Sequence, residues 1–449
     1  MTESRGPRSA SAGNPVNATL NLAPIYAEVI DATTKGYPPS APALSIADVG
    51  LAGWRMLAGD LPFPQAVILE SAVAHNHEWM RDFTAATGVL LAPHGKTTMA
   101  PQIFAQQIAA GAWGITVATV QQLEVCVLFG VRRVIMANQL MGAAEIRAVI
   151  GLTERHADLE FHFLVDSTSQ LASIEAIAAR EPPSRKLAAL VELGVPGGRT
   201  GCRTYDEALA LARTVAASAA VGLSGLECYE GLQLTGDAAR DAVVVGELMR
   251  RVKEVAQACD RERLFSGPAV ILSAGGSAAF DIVARELPTE LTLPVRTILR
   301  SGCYVTHDSG FYARLLEGVR SRSGATWQSR PGLRPALEVW SQVQSCPEPG
   351  LAILTMGRRD ASFDIEMPIP VKWFRAGRDA SPQGVPSAWK VSAMNDQHAY
   401  LRFDRDAVPA VGDLVACGIS HPCTTFDKWR VLFTVDDAYR VTGAIRTYF

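Results

Sequence analysis

The sequence predicts an α/β chain: a closed parallel (β/α)8 barrel followed by an antiparallel β domain. Three observations carry this. From about residue 89 to residue 300, eight short runs rich in Val, Ile, Leu and Ala recur, each followed by a longer segment of helical composition, which is the alternation of βα units. Most of these runs are apolar at successive positions rather than at every second one, as expected of strands covered on one face by the barrel interior and on the other by helices. After Gly302 the texture changes, with more Trp, Pro and Gly and with short β-type runs between turns, the pattern of an antiparallel sheet.

Taken in order, the candidate barrel strands are 89–93, 113–118, 133–137, 161–165, 187–193, 222–227, 269–273 and 296–300. Eight of them favour closure; a doubly wound open sheet is the other reading of the same alternation. Between them, 100–110 and 208–219 are Ala-rich with helical spacing, and Gly111 and Gly222 stand where a helix would stop. In the second domain the β-type runs are 351–355, 399–403, 413–417 and 430–435, and 377–387, with Pro382, Gly384 and Pro386 inside it, is expected as an exposed loop. Residues 65–69 are strand-like although they precede the first helix, and are expected to pair with the β domain. The division is therefore 1–60 as a partly disordered leader, rich in Ser, Gly and Ala over 1–15, then 61–305 as the barrel and 306–449 as the β domain.

Composition excludes several classes. A chain of 449 residues has room for a barrel and a second domain, because single cores stop growing near about 250–300 residues. A net charge of −3 offers no basic field to neutralise phosphates, which argues against nucleic acid as a partner. No stretch approaches the roughly 20 apolar residues of a membrane span, and the leader lacks the apolar core of a signal peptide. The eight cysteines (Cys126, Cys202, Cys228, Cys259, Cys303, Cys346, Cys417 and Cys423) form no CxxC pair. That usage suits a reducing compartment, so a soluble cytoplasmic protein is expected.

Two short segments more than three hundred residues apart carry the chemistry. In Pro93-His94-Gly95-Lys96-Thr97-Thr98 the lysine lies just past the end of the first strand, where barrel enzymes gather their reactive groups. An amine partly desolvated there becomes a nucleophile toward an aldehyde, forming a Schiff base, and can then act as a base; the plain alternative is a solvated loop lysine. In His421-Pro422-Cys423 the imidazole and thiol stand two residues apart. In an extended segment that spacing puts both on one side, where nitrogen and sulfur make good zinc ligands with open positions left for substrate oxygens. A lone HxC is a weak motif and, taken by itself, is more often the mark of a half-buried structural pair. Asp427 and Lys428 are candidates to support the ligands or to form an ordinary ion pair.

Supporting segments are less specific. Ser273-Ala274-Gly275-Gly276-Ser277 follows a strand and precedes the helix-like 278–285, so its amides could cradle a phosphate. Gly197-Gly198-Arg199-Thr200-Gly201 could bring a guanidinium to a cofactor ring, or be a glycine turn with a surface arginine. His75, His77 and His162 lie within helix and strand patterns and are expected to be structural.

Taken together, PHGKT, GGRTG, Cys228-Tyr229-Glu230-Gly231, SAGGS, the RSGCYVTHD of 300–308 and the SHPCTTFDKW of 420–429 resemble the D-serine dehydratase and D-threonine aldolase family. These are pyridoxal-phosphate enzymes of the alanine racemase-like fold, and the FDKW tail is similar to a bacterial D-serine deaminase-like branch. The resemblance runs from about residue 61 to the C-terminus. It implies that Lys96 binds pyridoxal 5'-phosphate covalently with His94 beside it, that Arg199 contacts the ring's phenolic oxygen, and that Gly275, Gly276 and Ser277 hold the phosphate. Tyr229 and Tyr304 are implied as pocket tyrosines, Tyr304 being a candidate acid/base. His421 and Cys423 match the metal pair of the dehydratase branch, whose ion is expected to be zinc or else manganese, whereas the aldolase branch tends to have Asp in place of the Cys.

The expected activity is therefore a metal-dependent dehydration of a D-3-hydroxy amino acid such as D-serine or D-threonine to a 2-oxo acid and ammonia. Retro-aldol cleavage of D-threonine or 3-hydroxy-D-aspartate is the second reading, and a non-catalytic pyridoxal-phosphate carrier the third. A homodimer with the site near the subunit interface is implied by the resemblance alone.

Overall fold

The computed structural model describes residues 19–322, 325–404 and 408–449; the disorder expected at 1–15 lies outside the described residues. All eight expected barrel strands form, at Leu90–Leu91, Ile115–Val117, Arg133–Gln139, Glu160–Val165, Leu187–Leu193, Val221–Cys228, Val270–Ala274 and Val295–Leu299. They are parallel and ordered as in the chain, with the last strand returning beside the first. First and second strands also meet: the Trp113 N–H donates to the Leu91 carbonyl at 2.7 Å, the Thr116 N–H donates to that of Pro93 at 2.9 Å, and His94 bridges to Thr116. Inward side chains such as Trp113, Ile135, Leu164, Leu190, Ile271 and Ile298 fill the barrel. The interior is thus a packed core, and chemistry is confined to the rim.

Several of the helices between the strands start where the sequence supplies caps. Before Tyr205–Ala217, the Thr204 hydroxyl accepts the Glu207 N–H at 3.1 Å while the Glu207 carboxylate accepts the Thr204 N–H at 3.1 Å. This reciprocal pair satisfies two donors of the first turn.

In the second sheet the long strand Leu337–Glu348 is the hub, pairing antiparallel with Leu414–Gly418 and Leu351–Leu354. Gln65–Leu69 joins it, antiparallel to Leu337–Trp340 and parallel to Val431–Val435. All five of its residues are buried, as a strand with neighbours on both sides requires. The chain therefore enters the barrel from the sheet that its own C-terminus completes. Of the leader, residues 19–60 are packed onto this sheet: Ile25, Tyr37, Val49 and Met56 are buried, each such side chain contributing about 1.5–3 kcal/mol. Lys35 from this segment pairs with Asp360 at 2.7 Å and sits 3.8 Å over the Trp429 ring, bracing the turn that follows Cys423. The expected loop 377–387 is mostly exposed, with Gln383–Gly384 pairing with Lys372 and Trp373. Among the described residues no helix is long and apolar enough to cross a membrane.

Candidate active site

A cavity of about 370 Å³ opens at the C-terminal ends of the barrel strands, lined by His94, Lys96, Arg199, Tyr229, Gly275, Gly276, Ser277, His421 and Cys423. Of the residues singled out from the sequence as site candidates, Tyr304, Asp427 and Lys428 are not among them. Among the other residues lining it, sequence reasoning missed or left unassigned Asn138, Glu227, Arg300, Cys303 and Tyr312.

Lys96 sits in the single turn Gly95–Thr97, is exposed to the cavity, and makes no hydrogen bond or ion pair among the described residues. Beside it the Nδ1 of His94 is sealed from solvent with no partner among the described residues. Burial, then the charges of Lys96 and Arg300, hold this imidazole well below its usual range, so it is neutral at pH 7. The Arg199 turn is pinned from behind, the Thr200 hydroxyl donating to Glu192 at 2.7 Å and the Gly201 N–H to Asp166 at 3.1 Å. This leaves the Arg199 guanidinium 5.2 Å over the Tyr229 ring, a cation–π contact at the rim.

The cavity floor holds the buried pair Glu227 and Arg300. Arg300 donates to Glu227, to the Ser273 hydroxyl at 2.7 Å and to the Cys228 carbonyl at 3.1 Å. The Oε2 of Glu227 has no partner among the described residues, and burial outweighs Arg300 to push its carboxyl up to about 8. The signal was present in the sequence, since Glu227 and Arg300 each end a candidate strand.

The glycine turn expected to hold a phosphate already holds an anion. The N–H groups of Gly275 and Gly276 donate to Glu230 at 3.1 and 2.6 Å, so these amides accept an oxyanion, and a phosphate there has to displace this carboxylate. Tyr304 is a correction. It is fully buried with its hydroxyl 3.2 Å from the Nδ1 of His77, away from the cavity. In the turn Cys303–Val305 successive side chains diverge, so Cys303 faces the cavity and Tyr304 faces the helix Glu70–Thr87. Tyr312 is the tyrosine at the cavity wall.

The HPC segment is a turn instead of an extended stretch. Pro422 is helical, at φ −54° and ψ −44°, and Cys423 starts the one-turn helix Cys423–Phe426, as proline's fixed φ favours at a helix start. That helix packs on the Lys96 turn. Cys423 Sγ lies 3.5 Å from the Thr97 hydroxyl and 3.8 Å from Cys303 Sγ. The Cys303 contact comes first in holding the Cys423 thiol well below its usual range, with His421 adding to it, while Cys303 is pushed correspondingly up. His421 Nδ1 is 2.5 Å from Asp364. Burial pulls this imidazole down, but its bonds to Cys423 and Asp364 prevail and raise it to about 9. The carboxylate behind His421 is thus Asp364; Asp427 pairs with Lys428 at 3.5 Å and neither lines the cavity. Among the described residues no group of three or more His, Cys, Asp or Glu is gathered as a ready metal cluster.

Residues 336–435 match the putative serine dehydratase domain. A D-threonine aldolase of Arthrobacter sp is 26% identical over 362 residues, covering 78% of this chain and 82% of that protein. A D-threo-3-hydroxyaspartate dehydratase of Delftia sp. strain HT23 is 28% identical over 250 residues, covering 55% of this chain and 62% of that one. Of solved structures, the D-threonine aldolase of Filomicrobium marinum superposes with a TM-score of 0.71 at 23% identity, over 86% of this chain and 95% of its own. An alanine racemase-like protein of Idiomarina loihiensis does so with a TM-score of 0.65 at 16% identity, over 86% and 96%; at such identities these two speak for the fold. The domain match and the two curated relatives join the motifs in supporting the D-serine dehydratase and D-threonine aldolase family of enzymes, and the superpositions show the alanine racemase-like fold.

Proposed function

We propose that the chain is a lyase dependent on pyridoxal phosphate and a divalent metal, dehydrating a D-3-hydroxy amino acid to a 2-oxo acid and ammonia. The observation that carries this is the meeting of Lys96, His421 and Cys423 in one cavity. The residues present fit the cofactor: an unbonded lysine at the rim, two glycine amides that already accept an oxyanion, and unpartnered polar atoms on His94 and Glu227. They fit a metal in donor chemistry, with a sulfur at Cys423 and an imidazole whose Nδ1 is engaged, leaving Nε2 for an ion. Solved forms of D-threo-3-hydroxyaspartate dehydratase include a histidine-to-alanine variant and a metal-free cysteine-to-alanine variant, the residue types that meet here.

When bound, pyridoxal phosphate supplies an electron sink for the charge left at an amino acid's α-carbon. Lys96 would carry it and then take and hold the α-proton at Nζ. Arg199 and Tyr229 bound the ring side of the cavity, and the Gly275 and Gly276 amides would hold the phosphate once Glu230 withdraws. A divalent ion would be held by His421 and Cys423, supplying a Lewis acid for the β-oxygen of the substrate; zinc suits these donors better than manganese.

A second reading is retro-aldol cleavage to glycine and an aldehyde. It is favoured by the longer match to the Arthrobacter aldolase and uses the same residues. The described cysteines are all unpaired, which supports a reducing, cytoplasmic setting, and a homodimer is the expected assembly. The test is product analysis on purified protein with pyridoxal phosphate and zinc, offering D-serine, D-threonine and D-threo-3-hydroxyaspartate and their L-forms. Ammonia and a 2-oxo acid, abolished by chelator, are expected. Glycine with an aldehyde transfers the reading to the aldolase, and no turnover removes it.

A further inference from the structure

Cys303 and Cys423 are 120 residues apart in sequence, yet their sulfurs stand 3.8 Å apart at the cavity wall. Two packing decisions bring them together. The turn Cys423–Phe426 packs on the turn Gly95–Thr97, which seats Cys423 against Thr97. On the other side Gly302 lets the Cys303 turn approach the same segment: a Cβ at Gly302 would stand 2.6 Å from both the His94 carbonyl oxygen and the Thr97 hydroxyl. Only a residue without a side chain brings Cys303 this close.

The separation has a chemical meaning. A disulfide would draw the sulfurs to about 2.05 Å. Two thiolates on one tetrahedral zinc, at Zn–S about 2.3 Å, stand about 3.8 Å apart. The sulfurs are thus already spaced as two ligands of one ion, and neither has to move relative to the other to bind it. Cys303 is buried and lines the cavity. His421, fixed through Nδ1 by Asp364, supplies the nitrogen. No three-residue cluster is preassembled among the described residues, so the ion has to draw the sulfur pair and the imidazole together.

We propose that Cys303 is a second sulfur ligand of the metal, so that the ion is held by Cys303, Cys423 and His421; this rests on the metal-dependent reading above. Three protein ligands in a tetrahedral site leave one open position. The substrate then reaches the ion through a single oxygen, the β-hydroxyl, and does not chelate it with a second group. A site with two sulfurs also selects zinc over manganese or magnesium, which prefer oxygen donors.

The test is zinc K-edge X-ray absorption on the holoenzyme, which counts sulfur neighbours at about 2.3 Å, together with zinc content. Two sulfurs in the wild type, falling to one in Cys303→Ser and in Cys303→Ala, support the assignment. A single sulfur in the wild type, or two that survive both substitutions, overturns it while leaving the His421 and Cys423 pair standing; the two cysteines then share only an S–H···S contact. A wild type that retains no zinc at all overturns the metal-dependent reading itself, and the assignment with it.

Discussion

Nδ1 of His421 lies 2.5 Å from Oδ2 of Asp364, whose other oxygen accepts the Thr424 hydroxyl at 2.8 Å. A carboxylate at Nδ1 keeps a proton there and orients the imidazole before any ion arrives, so that the ion takes the place of the proton at Nε2. Asp364→Asn keeps the size and removes the charge. Zinc affinity, measured by chelator competition, is expected to fall by roughly 10- to 100-fold. Stability should change little because Asp364 is exposed. Undiminished affinity would mean that this carboxylate does not prepare His421 for a metal.

Lys96 makes no hydrogen bond or ion pair among the described residues, so Lys96→Ala should leave the fold intact, within about 0.5 kcal/mol. Its activity should fall by roughly 10²- to 10⁴-fold through loss of the proton-transferring amine, and further through loss of covalent attachment. Borohydride reduction of the loaded wild type should fix the cofactor on the peptide containing Lys96, and mass spectrometry of the variant should find none. A labelled peptide elsewhere in the variant would name a different lysine.

The barrel was legible because both faces of its strands are covered, which writes itself into the sequence as unbroken apolar runs; 187–193 is found at its expected bounds. Lys96, Arg199 and the glycine turn were legible because they occupy strand ends, where a rim must be. What escaped depends on contacts distant in sequence. Asp364 lies 57 residues before its histidine, and nothing local marks it. Tyr304 was read as a pocket residue from its motif, but a tight turn decides orientation residue by residue, and it sends Tyr304 to His77 and Cys303 to the cavity. The packing of residues 19–60 was likewise hidden, since their buried side chains are too widely spaced to show a period.

Gly302 is the spacer between the turn of Lys96 and the turn of Cys303. Its φ of −103° is open to any residue, so the constraint is room alone: a Cβ would press on the His94 backbone oxygen. Gly302→Ala is expected to destabilise the protein by about 1–3 kcal/mol, the usual range for overpacking. It should also cost activity beyond that, because the displaced segment carries His94 and Lys96. Denaturant midpoint and kcat are the measurements; a variant unchanged in both would show that the two turns separate freely.

His307 ties stability to acidity. It is buried, holds φ +46°, and burial alone pulls its imidazole from 6.5 down to about 4. A histidine whose folded value lies below its unfolded one stabilises the protein fully above about 6.5, and that contribution is lost as pH falls toward 4, by roughly 3 kcal/mol in all. His77 and His94, also pulled down chiefly by burial, act in the same direction. Asp308 acts against them: burial lifts its carboxyl to about 6, so it favours the folded state as pH falls from 6 toward its ordinary value. The variant isolates the histidine from this background. His307→Asn tolerates the left-handed backbone and does not titrate, so between pH 7 and 4.5 its urea midpoint should fall less than that of the wild type. Parallel losses in the two proteins would place the acid sensitivity on other groups.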